Sequence, residues 1–232
     1  MSVCVYYAGI DVGVRNLSWC IIDVNQWKKY NAGESTNSGI AVWKNVTLIE
    51  SYTCDGVFES GSKKGQTCGS PATYKSDKNY WCGKHKPENA KKYKQPTVKS
   101  KPVGDLIKKA FEELDREPLF AQTVSIVIEL QLKKNPTMKR MSNALEAYFI
   151  LRYKMCENPV LRYLKYSSAK NKLKVFKGNV VTTKKGYAAV KDLAKIHTET
   201  MLKNCSSLES CYKPFKKKDD LADAFLHCVG SI

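Results

Sequence analysis

The chain has 232 residues, enough for one sizeable core or for one domain with an insertion. Lysine and arginine number 39 against 22 acids, a formal net charge of +17, which favours a polyanionic partner over a merely solvated surface, with nucleic acid ahead of an anionic membrane. No apolar stretch is long enough to span a bilayer, and the N-terminus lacks the basic-then-apolar layout of a signal peptide. The nine cysteines, odd in number and scattered, argue against a disulfide scaffold and for reduced thiols in a cytoplasmic or otherwise reducing intracellular compartment.

Along the chain, the apolar run 3–11 is expected as a strand that closes on Asp11. Gly13-Val14-Arg15-Asn16 is a turn, and 17–24 is a second strand, giving a hairpin. The stretch 25–38, rich in Asn, Ser and Gly, is expected as a loop, and 40–52 as a third strand. From Cys54 to about residue 100 the apolar periodicity stops and Gly, Lys, Ser and Cys dominate, which marks an insertion ending in a polar linker from Lys91 to Lys101. Residues 103–115 set Leu106, Ile107, Ala110, Phe111 and Leu114 on one helical face. Residues 124–130 form a strand carrying Glu129 at its end. After Asn135-Pro136, the residues Met138, Met141, Leu145, Tyr148 and Phe149 recur at helical spacing, and Pro136 suits a first helical turn. Fragments 160–166 and 173–177 are strand-like, 184–202 is a helix, and 219–229 is the last helix, capped by Asp219. The order of strands and helices gives an α/β layered architecture: one domain over 1–232 that carries the inserted subregion 54–100.

Four acids stand out. Asp11 and Glu129 each end a buried strand, where a carboxylate bears a desolvation cost. Asp220 and Asp223 are three apart on a helical pattern and face one way. If the two acid-bearing strands are neighbours, and the last helix packs on the sheet, all four meet at one point. They would repel unless neutralised. Two divalent cations would neutralise them and clamp the attacking and leaving oxygens of an in-line phosphoryl displacement; hard oxygen ligands suit Mg²⁺ or Mn²⁺. Each acid alone has a plainer explanation: a turn before Gly13, an edge ion pair, a helix cap. The set in this order favours the metal centre.

Cys54, Cys68, Cys82 and His85 fall in the insertion. Cys82-Gly83-Lys84-His85 has the spacing of a chelating knuckle, and a Cys₃His set around a structural Zn²⁺ would fold a segment too polar to fold by burial. Lys133 and Lys134 follow Glu129 closely, while Lys216, Lys217 and Lys218 precede the acidic helix, so both runs flank the acids where phosphates would come. Arg15 and Asn16 on the first turn are further candidates for backbone contact, and Gln131 for orienting a water or nucleotide. His227, one turn beyond Asp223, is expected to be a packed or solvated histidine ahead of a proton-transfer group.

The segments Ile10-Asp11-Val12-Gly13-Val14-Arg15-Asn16-Leu17-Ser18-Trp19-Cys20, Ile128-Glu129-Leu130-Gln131 and Asp220-Leu221-Ala222-Asp223-Ala224-Phe225 resemble the three acidic motifs of the RuvC-type Holliday junction resolvases. The first also resembles the fungal mitochondrial branch. Total size, the place of the insertion and the lysine-rich character look most like the poxvirus resolvases, whose setting would be host cytoplasm. The resemblance covers about 3–24 and 120–230. It implies a ribonuclease H-like mixed sheet flanked by helices, with Asp11, Glu129, Asp220 and Asp223 as metal ligands. It also implies a homodimer that cuts two strands of a four-way DNA junction symmetrically and leaves 5′ phosphates. The loop after strand two and the cysteine-bearing insertion exceed the bacterial pattern, so nothing carries over there. Two other activities remain open at this point: cutting of RNA–DNA hybrids, and a non-catalytic zinc-stabilised nucleic-acid-binding protein with structural acids.

Overall fold

The structure is a computed structural model that describes residues 4–131, 135–176, 178, 181–203, 205–206, 208–215 and 217–232. Lys133, Lys134 and Lys216 lie outside the described residues. The chain divides into two compact units, one made of 1–48 with 103–232 and the other of 49–102.

In the larger unit, β1 (Tyr6–Val12) and β2 (Asn16–Asp23) form the expected hairpin, with Ile10 opposite Trp19 and Asp11 opposite Ser18. The expected loop after it is in fact a helix at its start, α1 (Val24–Asn31). Its sequence has little apolar periodicity because only Val24 and Trp27 are buried. What starts it is Asp23, whose carboxylate accepts hydrogen bonds from the Asn25 and Gln26 amides at 2.9 and 3.3 Å. Then comes β3 (Ile40–Thr47), shorter than expected. In the smaller unit lie the short strands β4 (Tyr74–Ser76), β5 (Asn79–Trp81) and β6 (Lys91–Lys92), in the order β5-β4-β6.

The larger unit resumes with α2 (Val103–Asp115), β7 (Thr123–Glu129) and α3 (Pro136–Phe149). Asn135 caps α3 through the Met138 amide at 3.1 Å, and Pro136 occupies its first turn, where no amide hydrogen is needed. The strand β8 is Tyr163–Ser167; of the strand expected at 173–177, residue 177 lies outside the described residues, and the start falls in a 3₁₀ turn over Asn171–Lys174. The chain ends with α4 (Gly186–Met201) and α5 (Lys218–Val229). Lys217, not Asp219, takes the cap position of α5 and caps with no side-chain bond. Asp219 sits in the first turn and pairs with Lys191 at 2.5 Å.

The five-stranded sheet has the order β3-β2-β1-β7-β8. The β1–β2 and β2–β3 pairs are antiparallel; β1–β7 and β7–β8 are parallel. The result is a mixed sheet flanked by helices, the architecture that the resemblance implies. Period-two alternation sorts its two faces. Ile10 and Trp19 point to one layer, where Trp19 meets Phe120 at 6.1 Å and Phe120 meets Phe149 of α3 at 5.2 Å. Gly9, Asp11 and Cys20 point to the other, which is covered by α5. Every residue of α5 from Leu221 to Val229 is buried, as befits a central helix. Trp43 of β3 anchors it by donating its indole N–H to the Leu221 carbonyl at 2.9 Å, with Phe225 against the Trp43 ring at 5.5 Å.

Among the described residues, no helix is long and apolar enough to cross a membrane.

Candidate functional site

The acidic centre is assembled by three elements. Parallel pairing sets Ile10 opposite Ile128, so the residues that follow, Asp11 and Glu129, emerge side by side on the face that α5 covers. Gly9 lets α5 lie against β1 there. A Cβ at that position would stand 2.2 Å from the Ala224 carbonyl oxygen and 2.3 Å from the Cys228 amide nitrogen, so any side chain would lift the helix. With the helix down, Asp223 projects into the pair. One carboxylate oxygen from each of Asp11, Glu129 and Asp223 lies within 4.8 Å of the others.

Asp220 stands outside this group. Its Oδ2 accepts from Asn16 Nδ2 at 3.0 Å and from Asn45 Nδ2 at 3.5 Å, and lies 3.8 Å from Lys217 Nζ. Asn45 also donates to Ser18 Oγ at 2.9 Å. Asn16, expected to face DNA, therefore spends its amide on Asp220. Gln131 turns its amide onto the ends of the acid-bearing strands, 3.3 Å from the Val12 carbonyl and 3.4 Å from that of Glu129. Arg15 and Lys217 are exposed, and Lys218 lies 5.8 Å from the centre of the Tyr212 ring.

A residue that the sequence did not point to sits at the heart of the cluster. Lys172, on the 3₁₀ turn after β8, is buried, with Nζ 2.5 Å from Asp223 Oδ2 and 3.4 Å from Glu129 Oε1. In a chain so rich in lysine, nothing local marks this one; only the placement of its turn over the strand ends does. His227 Nε2 lies 3.8 Å from Glu129 Oε1. Both ring nitrogens of His227, and Asp223 Oδ1, are buried with no hydrogen-bond partner among the described residues. Polar atoms orphaned beside three clustered carboxylates fit a centre that completes its bonding with a cation.

The charge states follow from burial and neighbours. Desolvation, then Glu129, holds Asp11 well above the usual carboxylate range. Desolvation also raises Asp223, to about 6, although Lys172 works against it. Glu129 is desolvated as well, but the neighbouring His227 and Asp11 and the charge of Lys172 outweigh burial and pull it down. Burial would lower Lys172, but Asp223 and Glu129 hold it up as an ammonium.

Two consequences are testable. A divalent cation needs Asp11 and Asp223 ionised, so binding releases protons and affinity rises with pH. Mn²⁺ affinity measured by calorimetry should climb by up to about a hundredfold per pH unit below about pH 6, where both acids must give up a proton, and by about tenfold per unit above it until Asp11 ionises. An affinity flat between pH 5 and 8 would contradict this charge assignment. Replacing Lys172 by Met leaves buried carboxylates uncompensated, which typically costs about 3–5 kcal/mol. The variant should therefore melt well below wild type without added cation, and regain much of the loss in Mn²⁺. Equal melting of the two proteins would place Lys172 outside the charge balance.

In the smaller unit, a second group converges. Backbone bonds lay 54–57 beside 67–70: the Cys54 amide donates to the Ser70 carbonyl and the Cys68 amide to the Gly56 carbonyl, both at 2.7 Å. The residues following β5 supply Cys82 and His85. Cys54 Sγ lies 3.5 Å and Cys82 Sγ 3.7 Å from His85 Nδ1, and Cys68 Sγ lies 3.9 Å from Cys82 Sγ. All four ligand atoms fall within 4.8 Å of one another. The sulfur pair is far beyond the ~2.05 Å of a disulfide. The spacings match the edges of a zinc tetrahedron, about 3.6–3.8 Å for ordinary Zn–S and Zn–N bonds. The Gly56 amide donates to Cys54 Sγ at 3.4 Å, and a Cβ on Gly56 would meet the His85 Cβ at 2.6 Å. A bond to the Ser70 hydroxyl lowers the Cys68 thiol to about 6, toward the thiolate that a metal requires. The group can hold a metal ion.

No family model matches the chain. It is 31% identical over 191 residues to an uncharacterized protein of Acanthamoeba polyphaga mimivirus, covering 71% of this chain and 46% of that protein; the chain thus spans about half the length of this curated relative. Among solved structures it is similar to T. thermophilus RuvC in complex with a Holliday junction substrate, with a TM-score of 0.44, 10% identity, and coverage of 97% of this chain and 91% of that one. The corresponding figures for the yeast mitochondrial Holliday junction resolvase Ydc2 are 0.46, 18%, 96% and 77%. For a further Thermus thermophilus RuvC structure they are 0.45, 9%, 97% and 92%.

Proposed function

We propose that the protein is a metal-dependent, structure-selective endonuclease that hydrolyses phosphodiesters in branched DNA, four-way junctions above all. The observation that carries this is the convergence of Asp11, Glu129 and Asp223 from two parallel strand ends and a docked helix, with their oxygens within 4.8 Å, in a chain of net charge +17. Acids so placed suit hard divalent cations, Mg²⁺ or Mn²⁺, in two positions. Such ions supply an activated water and charge stabilisation for an in-line displacement. The protein's own groups do the rest. Asp11, Glu129 and Asp223 present the ligand oxygens. Asn16 and Asn45 orient Asp220 at the rim as a further ligand. Lys172 offers a fixed ammonium where charge builds on the scissile phosphate. The flanking lysines, Lys217 and Lys218 with Lys133, Lys134 and Lys216, together with Arg15, draw in the DNA backbone.

One such centre per chain cuts one strand, so paired symmetric cuts call for two chains about a two-fold axis, and a homodimer is part of the proposal. The resemblance of the acidic motifs to junction resolvases, and of size, insertion and lysine content to the poxvirus branch, supports the same assignment. The Cys₃His group we assign to a structural Zn²⁺. Its ligands need reduced thiols, and no cysteine of the described residues stands in a disulfide, in keeping with work in a reducing compartment such as host cytoplasm.

The deciding experiment offers Mg²⁺ and three labelled substrates: a four-way junction, an RNA–DNA hybrid and a linear duplex. Rapid paired nicking of the junction, with little cutting of the others, is the expected result. Preferential cutting of the hybrid would replace this activity with a ribonuclease H one. Binding without any cutting would make the acids structural.

A further inference from the structure

The smaller unit carries a surface that the acidic centre does not use. Residues 49–102 hold eleven lysines and no arginine against five acids, and its aromatic residues are interleaved with those lysines. The strand register makes the arrangement specific. Tyr74 of β4 stands between Trp81 of β5 and Lys92 of β6, so these three share one face of the small sheet. On the other face, Lys75 stands between Tyr80 and Lys91. Beside the edge strand β6, an open cleft of about 390 Å³ is lined by Thr73, Tyr74, Lys92, Tyr93 and Lys94, within the size range of small-ligand sites. Lys86 Nζ hangs 4.6 Å from the centre of the Tyr74 ring, and Lys75 Nζ 5.3 Å from that of Tyr80.

The cations at this cleft are not consumed by the fold. None of the ion pairs among the described residues uses Lys86, Lys92 or Lys94. The tyrosines, by contrast, are held firmly. Tyr52 and Tyr80 stack at 4.0 Å, with Tyr93 edge-on to Tyr80 at 5.0 Å. The Gln95 side chain pins this corner by donating to the Tyr52 and Ala72 carbonyls and accepting from the Tyr52 amide. Rigid aromatic rings next to unpaired ammonium groups suit a chain that alternates flat bases with phosphates.

We propose that this cleft binds an unpaired DNA strand, with a base packed on Tyr74 or Tyr93 and the adjoining phosphates on Lys86, Lys92 and Lys94. A duplex offers it only phosphates, since its bases are already stacked, so single strands are preferred. The site goes beyond the nuclease proposal, with which it shares only the expectation of a nucleic-acid partner. It depends on the Cys₃His group solely for the integrity of the unit.

The test uses the whole protein without added Mg²⁺ and a short dye-labelled thymidylate oligonucleotide, with affinity followed by anisotropy across a salt series. The triple change Lys86→Gln, Lys92→Gln and Lys94→Gln should weaken binding by about tenfold or more, and flatten the slope of log affinity against log salt by about two, since each phosphate contact on a single strand contributes about 0.7. Tyr74→Leu should weaken it by about tenfold with the slope kept. Metal analysis of each variant shows whether the unit is intact. Unchanged affinity and slope in a triple variant that retains its metal would overturn the proposal. So would binding of a matched duplex as tight as that of the oligonucleotide, or binding of anionic vesicles in place of DNA. Wild-type protein that binds through this cleft but cuts no junction would sink the nuclease proposal and leave the cleft standing; junction cutting with no effect of the cleft variants would do the reverse.

Discussion

Asp11→Asn and Asp223→Asn should each lower the single-turnover rate of junction cleavage by about a thousandfold or more while leaving junction binding within a few fold of wild type. Either change removes an ionised oxygen from the point where Asp11, Glu129 and Asp223 converge. A cation there is worth several kcal/mol to the transition state, and each 1.36 kcal/mol is roughly a factor of ten in rate. Binding survives because it draws on the basic surface. Asp220→Asn should behave differently. Its carboxylate lies outside the convergent group and is held at the rim by Asn16 and Asn45, so as an outer ligand it should cost only about ten- to a hundredfold. Single-turnover rates at saturating protein on a labelled junction measure all three. Near-wild-type cutting by Asp11→Asn would remove the metal centre from the mechanism. A loss for Asp220→Asn as deep as for Asp223→Asn would bring Asp220 into the innermost ligand set.

Loss of the metal from the Cys₃His group should unfold the smaller unit and spare the larger one. Residues 49–102 bury few apolar side chains: Ile49, Cys54, Ala72 and Cys82 are the ones shielded from water. Two of those four, Cys54 and Cys82, belong to the ligand set itself. A structural zinc contributes on the order of 10–16 kcal/mol in small metal-folded domains, more than so small an apolar cluster can supply. Wild-type protein should carry about one zinc per chain through dialysis. Cys82→Ser should release it, and hydrogen exchange should show amides of β4, β5 and β6 losing their protection while those of β1 and β7 keep it. A zinc-free wild-type protein with reduced thiols and full protection across 49–102 would refute the assignment.

Much of the architecture is legible in the residue order. Buried strands announce themselves as unbroken apolar runs, which is why β1, β2 and β7 are apparent within a few residues. Amphipathic helices announce themselves by period, and α2 runs over the expected span. Where the signal is not burial, the sequence misleads. The start of the 25–38 stretch is helical because the Asp23 carboxylate caps it, and a cap leaves no period. The 173–177 fragment looks apolar enough for a strand, yet its turn serves to lower Lys172 onto the acids.

The sequence by itself determined which residues leave water: the strand runs that end on Asp11 and Glu129, the apolar last helix that carries Asp223, and the polar insertion whose Cys and His fall at chelating intervals. These are local properties, set by the free energy of transferring each side chain and by the backbone's fixed periods. Only the tertiary structure decided which acids meet. That depends on the parallel pairing of β1 with β7, on a glycine at position 9 that lets α5 approach the strand, and on the asparagines that take Asp220 to the rim. It also decided that one lysine among many is the buried partner of Glu129 and Asp223. A charge in a low-dielectric interior acts through distances of a few ångströms, and residues far apart along the chain acquire such distances only when the sheet and its covering helix have packed.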